Sequence, residues 1–317
     1  GGFSYIVLNN ILDLLIDSMS DWFRVKKNRL RRAGTHVLRV VKHRRPRIIV
    51  SMTSYPARIN TVHLAIRSLL AQKVLPDKIV LWLCKSDFPN READLPQSLR
   101  DVLWHDVEVR WVDDDLKPHK KYFWALQEFP DDYVITTDDD LLYRNTMIGD
   151  LLAAHEAHPH AVAAVRTHLI MFNEDGSRTN YEDWIYEAPH YHPALVGVPS
   201  MRIFATNGAG TLYPPHVMPQ ETFDAGMIKK TCLTADDLWL KVMQVKADIP
   251  VVAATDDQLL NYVPGTQGEE ALCHQNTESG VNNIVLKTIL EELQAKGVLA
   301  DDFDKLVADS SLDALIV

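Results

Sequence analysis

Cysteine is nearly absent. The 317-residue chain has three, Cys84, Cys232 and Cys273, far apart and odd in number. No CxxC pair or disulfide ladder can be drawn from them, which fits a reducing compartment better than a secreted one. Also missing are an apolar run long enough to cross a bilayer and a cleavable signal pattern. Internal repeats and low-complexity segments are lacking too. One stretch lacks acid altogether: between residues 24 and 47 there are eleven Lys or Arg and no Asp or Glu.

What remains is an ordinary globular composition, 46% hydrophobic and 24% charged. It is too apolar for whole-chain disorder and long enough for one large α/β domain with an elaborated end, or two modest ones. The net charge of −10 hides an asymmetry, because outside the basic stretch 22 basic residues face 43 acidic ones. An acidic body argues against nucleic acid as a partner, since a phosphate backbone needs a basic face. It is compatible with a site that gathers divalent cations.

Residues 3–23 place Leu8, Ile11, Leu12, Leu15, Ile16, Met19, Trp22 and Phe23 at three-to-four spacing, with Asp13, Asp17 and Asp21 on the other side. This spacing predicts an N-terminal amphipathic helix. Joined to the basic stretch, it suits peripheral contact of residues 3–47 with an anionic membrane surface. Packing on its own domain or on a partner chain is the alternative. From residue 47 the pattern changes to strands at 47–52 (RIIVSM), 78–83 (KIVLWL), 107–112 (VEVRWV) and 133–137 (YVITT), with helices at 60–72 and around 122–128. Such alternation predicts a mixed, mainly parallel sheet flanked by helices. Ligands of such sheets bind beyond the carboxyl ends of the strands. A strand at 161–166, a loop-rich aromatic region at 172–220, helices at 235–246 and 283–296 and a small terminal helix at 303–317 complete the pattern. The chain thus divides into an N-terminal helical segment (1–45), a main domain (46–300) and a helical tail (301–317). It begins with Gly rather than Met, which leaves an upstream domain open, and an oligomer is equally compatible.

The strongest chemical signal is YVITTDDDLLY, where an apolar strand runs into Asp138, Asp139 and Asp140 and then into Leu141, Leu142 and Tyr143. Three adjacent carboxylates repel one another unless a cation neutralises them, and hard oxygen ligands suit Mg²⁺ or Mn²⁺. The alternative is an acidic loop capping a following helix. A second triplet, Asp113–Asp115, follows VEVRWV but is trailed by Lys117, Lys120 and Lys121, which would neutralise it without metal or face a diphosphate. Thr53, Tyr55 and Arg58, after the first strand, offer a hydroxyl, a ring and a guanidinium. In TADDLW, Asp236 and Asp237 stand at a helix start, either as a cap or as a general base. Gly208 and Gly210 would let backbone approach a ligand. Tyr181, Trp184, Tyr186 and Tyr191 are rings on which a sugar could stack, or core. His274 is a late histidine able to complete a metal sphere, or a structural one.

Taken together, VSMTSYPARI, LPDKIVLWL, DFPNREADLP, KPHKKYFWAL, YVITTDDDLLY, GAGTLYPP and TADDLW resemble the GT-A-fold glycosyltransferases of bacterial capsular and O-antigen polysaccharide synthesis. The likeness covers roughly residues 47–290 and excludes residues 1–45. It implies a Rossmann-like GT-A fold and a UDP-sugar donor. A glycan acceptor is implied too, with a lipid-linked one open. The likeness further implies that Asp138 contacts the nucleotide and shares the metal with Asp140 and His274. Nucleotide contacts would come from Thr53, Tyr55, Arg58, Asp114, Lys120, Lys121 and Asp139, with Gly208 and Gly210 beside them. Asp237, backed by Asp236, would be the base of an inverting transfer. Some relatives transfer galactofuranose, which makes UDP-galactofuranose a donor to test. The implied setting is the cytoplasm, at the inner face of the cytoplasmic membrane. A nucleotidyltransferase on a similar sheet is the rival, and it would favour a glycine-rich basic loop after strand one, where SMTSYPARI has no glycine. A non-catalytic sugar-binding relative is the third possibility.

Overall fold

The computed structural model describes residues 46–104, 106–266 and 280–316. The expected amphipathic helix at 3–23, the basic residues up to 45, and His274 lie outside these residues. The four apolar runs form β1 (Ile48–Thr53), β2 (Lys78–Cys84), β3 (Val107–Val112) and β4 (Tyr133–Thr136). They pair in parallel in the order β3-β2-β1-β4. Beyond β4 come β8 (Thr211–Tyr213), β5 (Val162–Ala164) and β9 (Val251–Ala253), completing a seven-stranded sheet. β8 is antiparallel to both its neighbours, so the sheet is mixed and mainly parallel. β6 (Thr167–Leu169) and β7 (Ile203–Ala205) make a separate antiparallel ribbon.

Both faces of the sheet are apolar, as the near-continuous hydrophobic runs require. Ile48, Val50 and Met52 enter one core and Ile49 the other, while β2 sends Ile79, Leu81 and Leu83 one way and Val80 and Trp82 the other. Each such aliphatic side chain, fully buried, contributes about 1.5–3 kcal/mol. The Val62–Leu70 helix returns the chain from β1 to β2, burying Val62, Ala65, Ile66, Leu69 and Leu70 along one stripe. Among the described residues no helix is long and apolar enough to cross a membrane.

The second half is more ordered than its loop-rich sequence suggests. A helix at Met147–Ala157 follows β4, but it buries only Met147, Ile148 and Leu151, so its periodicity is faint. β7, β8 and β9 are three residues each, too short for an alternating pattern to register. The predicted helix around 122–128 splits into Lys120–Phe123 and Ala125–Glu128. The terminal helix ends at Val307, and a 3₁₀ turn, Ser310–Leu315, follows after extended backbone at Asp309, whose carboxylate accepts from Ser311 N. Phe303, Val307 and Leu312 are buried in the main core.

Candidate active site

The carboxyl ends of β1 and β4 open into a cavity of about 680 Å³. Thr53, Tyr55, Arg58, Lys120, Lys121, all three aspartates of the 138–140 triplet, Gly208, Asp236 and Asp237 line it. These residues, each singled out from the sequence, converge although they come from five separate segments.

Each aspartate of the triplet meets a different environment. Asp139 is buried; its carboxylate accepts from Ser54 Oγ at 2.5 Å and Arg58 Nη1 at 3.1 Å. Burial raises its pKa, against the pull of Arg58 and Ser54. The same Arg58 nitrogen lies 2.8 Å from Asp140 Oδ2. The backbone around Asp140 is clamped from outside, with Asp140 O accepting from Val263 N and Leu142 N donating to Asn261 O. Asp138 is the most exposed of the three, and its Oδ1 accepts from Lys121 Nζ at 2.8 Å. Its carboxylate occupies the space above Gly208, where a Cβ would come within 1.7 Å of Oδ2. Tyr143 locks this arrangement: its hydroxyl accepts from Asp138 N at 2.7 Å and donates to Gly208 O at 2.6 Å.

The other acidic triplet divides. Asp115 lines the cavity and pairs with Lys117 and Lys120. Asp113 pairs with Lys85 and Asp114 with Lys229, and neither lines the cavity. The carboxylate of this triplet that lines the cavity is thus Asp115 rather than Asp114, because the backbone turns after β3 and presents only the third acid inward. Gly210 also stands outside, packed against Met147 and Val165 with φ of +108°. Its freedom of conformation serves the turn into β8 rather than a ligand.

Lys121 joins the two acidic loops. Its Nζ lies 2.8 Å from Asp138 Oδ1 and 3.0 Å from Asp236 Oδ2, with the side chain 4% exposed. Burial alone would lower its pKa, but Asp138, Asp236 and Asp237 hold it well above the ordinary lysine value. Neighbouring His119 is fully enclosed; Nδ1 accepts from Tyr122 Oη and Nε2 donates to Cys232 O, each at 2.8 Å. Burial lowers its pKa to about 4, so the ring is neutral and fastens this segment to the turn before Asp236.

Asp236 and Asp237 open the Asp236–Lys246 helix, and neither acts as its N-cap, which is Ala235. Asp237 Oδ1 accepts from Asn207 N at 2.9 Å and from Asn207 Nδ2 at 2.8 Å. The Asn207 amide is itself fixed, since Tyr213 Oη donates to its Oδ1. Burial and the adjacent Asp236 raise the Asp237 pKa to about 7, against Lys121 and the Asn207 hydrogen bonds. A carboxylate poised near neutrality, held in one orientation and facing a cavity, is suited to accept a proton.

Of the four rings considered from sequence, Tyr181 and Tyr186 line the cavity, Trp184 is buried, and Tyr191 is 65% exposed. Asn207, Arg166 and His168 carry no motif signal in the sequence. Arg166 and His168 follow β5 directly, so the strand-end rule pointed at them.

Among the described residues no group of three His, Cys, Asp or Glu side chains assembles into a metal cage. Asp138 and Asp140 still supply two hard carboxylates to one cavity. That donor set fits a Mg²⁺-type ion, which takes one or two protein carboxylates and completes its sphere with phosphate oxygens and water.

No protein-family model matches the chain, and no curated protein matches it in sequence. Among solved structures, 4-diphosphocytidyl-2C-methyl-D-erythritol synthase from Anaerococcus prevotii aligns at 12% identity and a TM-score of 0.42, over 73% of this chain and 95% of that one. S. aureus TarS 1–349 aligns at 16% identity and a TM-score of 0.39, over 85% and 83%. The same protein in complex with UDP aligns at 15% and 0.37, over 68% and 60%.

Proposed function

We propose that the chain transfers a sugar from a UDP-sugar to a hydroxyl of a saccharide acceptor, with Asp237 as general base. The observation that carries this reading is the pairing, in one cavity, of an orienting cradle for Asp237 with an end where Arg58, Lys117, Lys120 and Lys121 stand among the carboxylates of Asp115 and Asp138–Asp140. A diphosphate leaving group needs the cations, and a neutral hydroxyl nucleophile needs the base.

The acceptor O–H gives its proton to Asp237 as its oxygen forms a bond to the anomeric carbon. The bond from that carbon to the diphosphate breaks on the opposite face, and UDP departs with the electron pair. The transfer inverts the anomeric centre. Lys121 and Arg58 face the charge that grows on the diphosphate. Asp138 and Asp140 would hold a divalent cation, which supplies further neutralisation of the leaving group when bound. Thr53 and Tyr55 stand at the nucleoside end. Thr53 Oγ1 donates to Trp82 O at 2.8 Å, which leaves its lone pairs to accept from a ligand. The region 3–47, the lipid-linked form of the acceptor and a galactofuranosyl donor extend this reading.

Calorimetry with UDP and Mn²⁺, followed by turnover of UDP-sugars, tests it. Asp237→Asn is expected to bind UDP as the wild type does and to lose transfer by 10²–10⁴-fold, on the order of a lost general base. Wild-type kcat/KM is expected to fall below about pH 7, where Asp237 takes up its proton. Proton NMR of the product reads the anomeric outcome. A wild-type chain that neither binds UDP nor turns over any UDP-sugar rejects the proposal. Release of pyrophosphate from a nucleoside triphosphate and a sugar phosphate would make it a nucleotidyltransferase instead.

A further inference from the structure

The wall of the cavity on the Asp237 side is aromatic. Tyr186 stacks on His168 with centroids 4.5 Å apart and planes 22° from parallel, and His168 in turn lies over Phe204 at 6.1 Å and 16°. Tyr181 meets both inner rings edge-on, at 6.3 Å from His168 and 5.8 Å from Phe204. Its backbone N donates to Asn283 Oδ1 at 2.8 Å, which pins it to the Val281–Ala295 helix. The two inner rings are buried, whereas Tyr186 is half-buried, with one face against His168. The stack thus has a fixed interior and an outer ring at the cavity.

Polar groups sit at the edge of this stack. Arg166 Nε donates to Glu187 Oε1 at 2.7 Å, and its Nη2 contacts the same oxygen. Glu187 holds a left-handed backbone, φ +45°, a strained choice for a side-chain-bearing residue that functional sites tend to retain. In that conformation its N–H donates to His168 Nδ1 at 3.2 Å. His168 is neutral because burial and Arg166 depress its pKa, so its proton is on Nε2. Arg166 is balanced by Glu187.

We propose that this wall is the acceptor subsite and that it takes an uncharged pyranose, stacked on Tyr186, with Arg166, which lines the cavity and is balanced by Glu187, donating to its hydroxyls. The proposal rests on the glycosyl-transfer reading and names its acceptor class. An aromatic face suits the C–H face of a sugar ring, and a guanidinium balanced by a carboxylate behind it offers donors without net charge. Phe204, the innermost ring, is three residues before Asn207, the anchor of Asp237, a span of about 10 Å in extended chain. Tyr181 gives a closer link: its ring centroid lies 5.8 Å from that of Tyr186 and its pKa is raised by burial and by Asp237, so the wall stands beside the base.

Saturation-transfer NMR on the UDP-loaded full chain tests it, with methyl β-D-glucopyranoside, methyl β-D-galactopyranoside and methyl β-D-glucuronide as probes. At least one uncharged glycoside is expected to receive saturation on its ring protons, with the glucuronide weaker. Tyr186→Ala is expected to reduce that signal about fivefold or more, the size of a lost stacking contact. Tyr186→Trp is expected to keep the signal, and both variants to bind UDP as the wild type does. With UDP bound, any of three results overturns the subsite alone: no transfer to either uncharged probe, preference for the glucuronide, or an unchanged signal in Tyr186→Ala. A wild-type chain that binds no UDP overturns the donor reading beneath it.

Discussion

A methyl group at position 208 would sit 1.7 Å from Asp138 Oδ2, whereas one at position 210 would meet Met147 Sδ at 2.9 Å on a backbone with φ of +108°. The two glycines of one loop therefore do different work, and their alanine variants should separate. Gly208→Ala displaces a carboxylate at the free end of a side chain. It is expected to leave the thermal midpoint nearly unchanged while weakening UDP–Mn²⁺ binding about tenfold, ~1.4 kcal/mol. Gly210→Ala forces a left-handed residue against the Met147–Ala157 helix and is expected to cost about 1–3 kcal/mol of stability with UDP affinity kept. Thermal unfolding and calorimetry on both variants give the answer, and the opposite pattern would reject this division. The sequence offered both glycines as equal candidates, because only the third dimension tells a glycine that clears a carboxylate from one that turns a chain. Asp138–Asp140 was easier to recognise, since apolar residues on both sides already implied a buried acidic turn.

At the level of elements, β8 explains which parts of the site were hidden. Parallel strands present their carboxyl ends to the cavity, and the residues after β1 and β4 were found by that rule. β8 runs the other way between β4 and β5. The loop before it, rather than after it, reaches the same edge, and that loop carries Asn207. Nothing local in a three-residue strand declares its direction. A second hidden element is the segment 255–263, which covers the site through the Leu141–Tyr262 bridge. It is fastened by Gln258, whose Oε1 accepts from Thr167 N at 3.0 Å and whose Nε2 donates to Thr255 O at 3.0 Å. Gln258→Leu leaves the Thr167 N–H buried without this acceptor, at about 1–3 kcal/mol. Amide exchange should accelerate at Thr167 and at Leu142 and Val263, whose N–H groups bond across this segment. Unchanged protection there would show that the segment is held by other contacts.

For the molecule as a whole, the division of charge at residue 47 remains the most legible feature of the sequence. Among the described residues all nine strands fall within residues 48–253, so a chain beginning at Pro46 is expected to unfold cooperatively and to bind UDP as the full chain does. Only the full chain is expected to sediment with phosphatidylglycerol vesicles, in a salt-sensitive manner. Equal sedimentation of the shortened chain would move any membrane contact to the acidic body. Within that body, the two halves of the sequence meet at Lys121, a single buried ammonium touching Asp138 from one half and Asp236 from the other. One charge cannot fully serve both partners. A ligand that draws it toward the strand-end carboxylate leaves the helix-start pair more negative, and a proton or ligand at that pair returns it. A charge shared between the two ends of the cavity would make occupancy at one end bear on affinity at the other, through the position of one lysine.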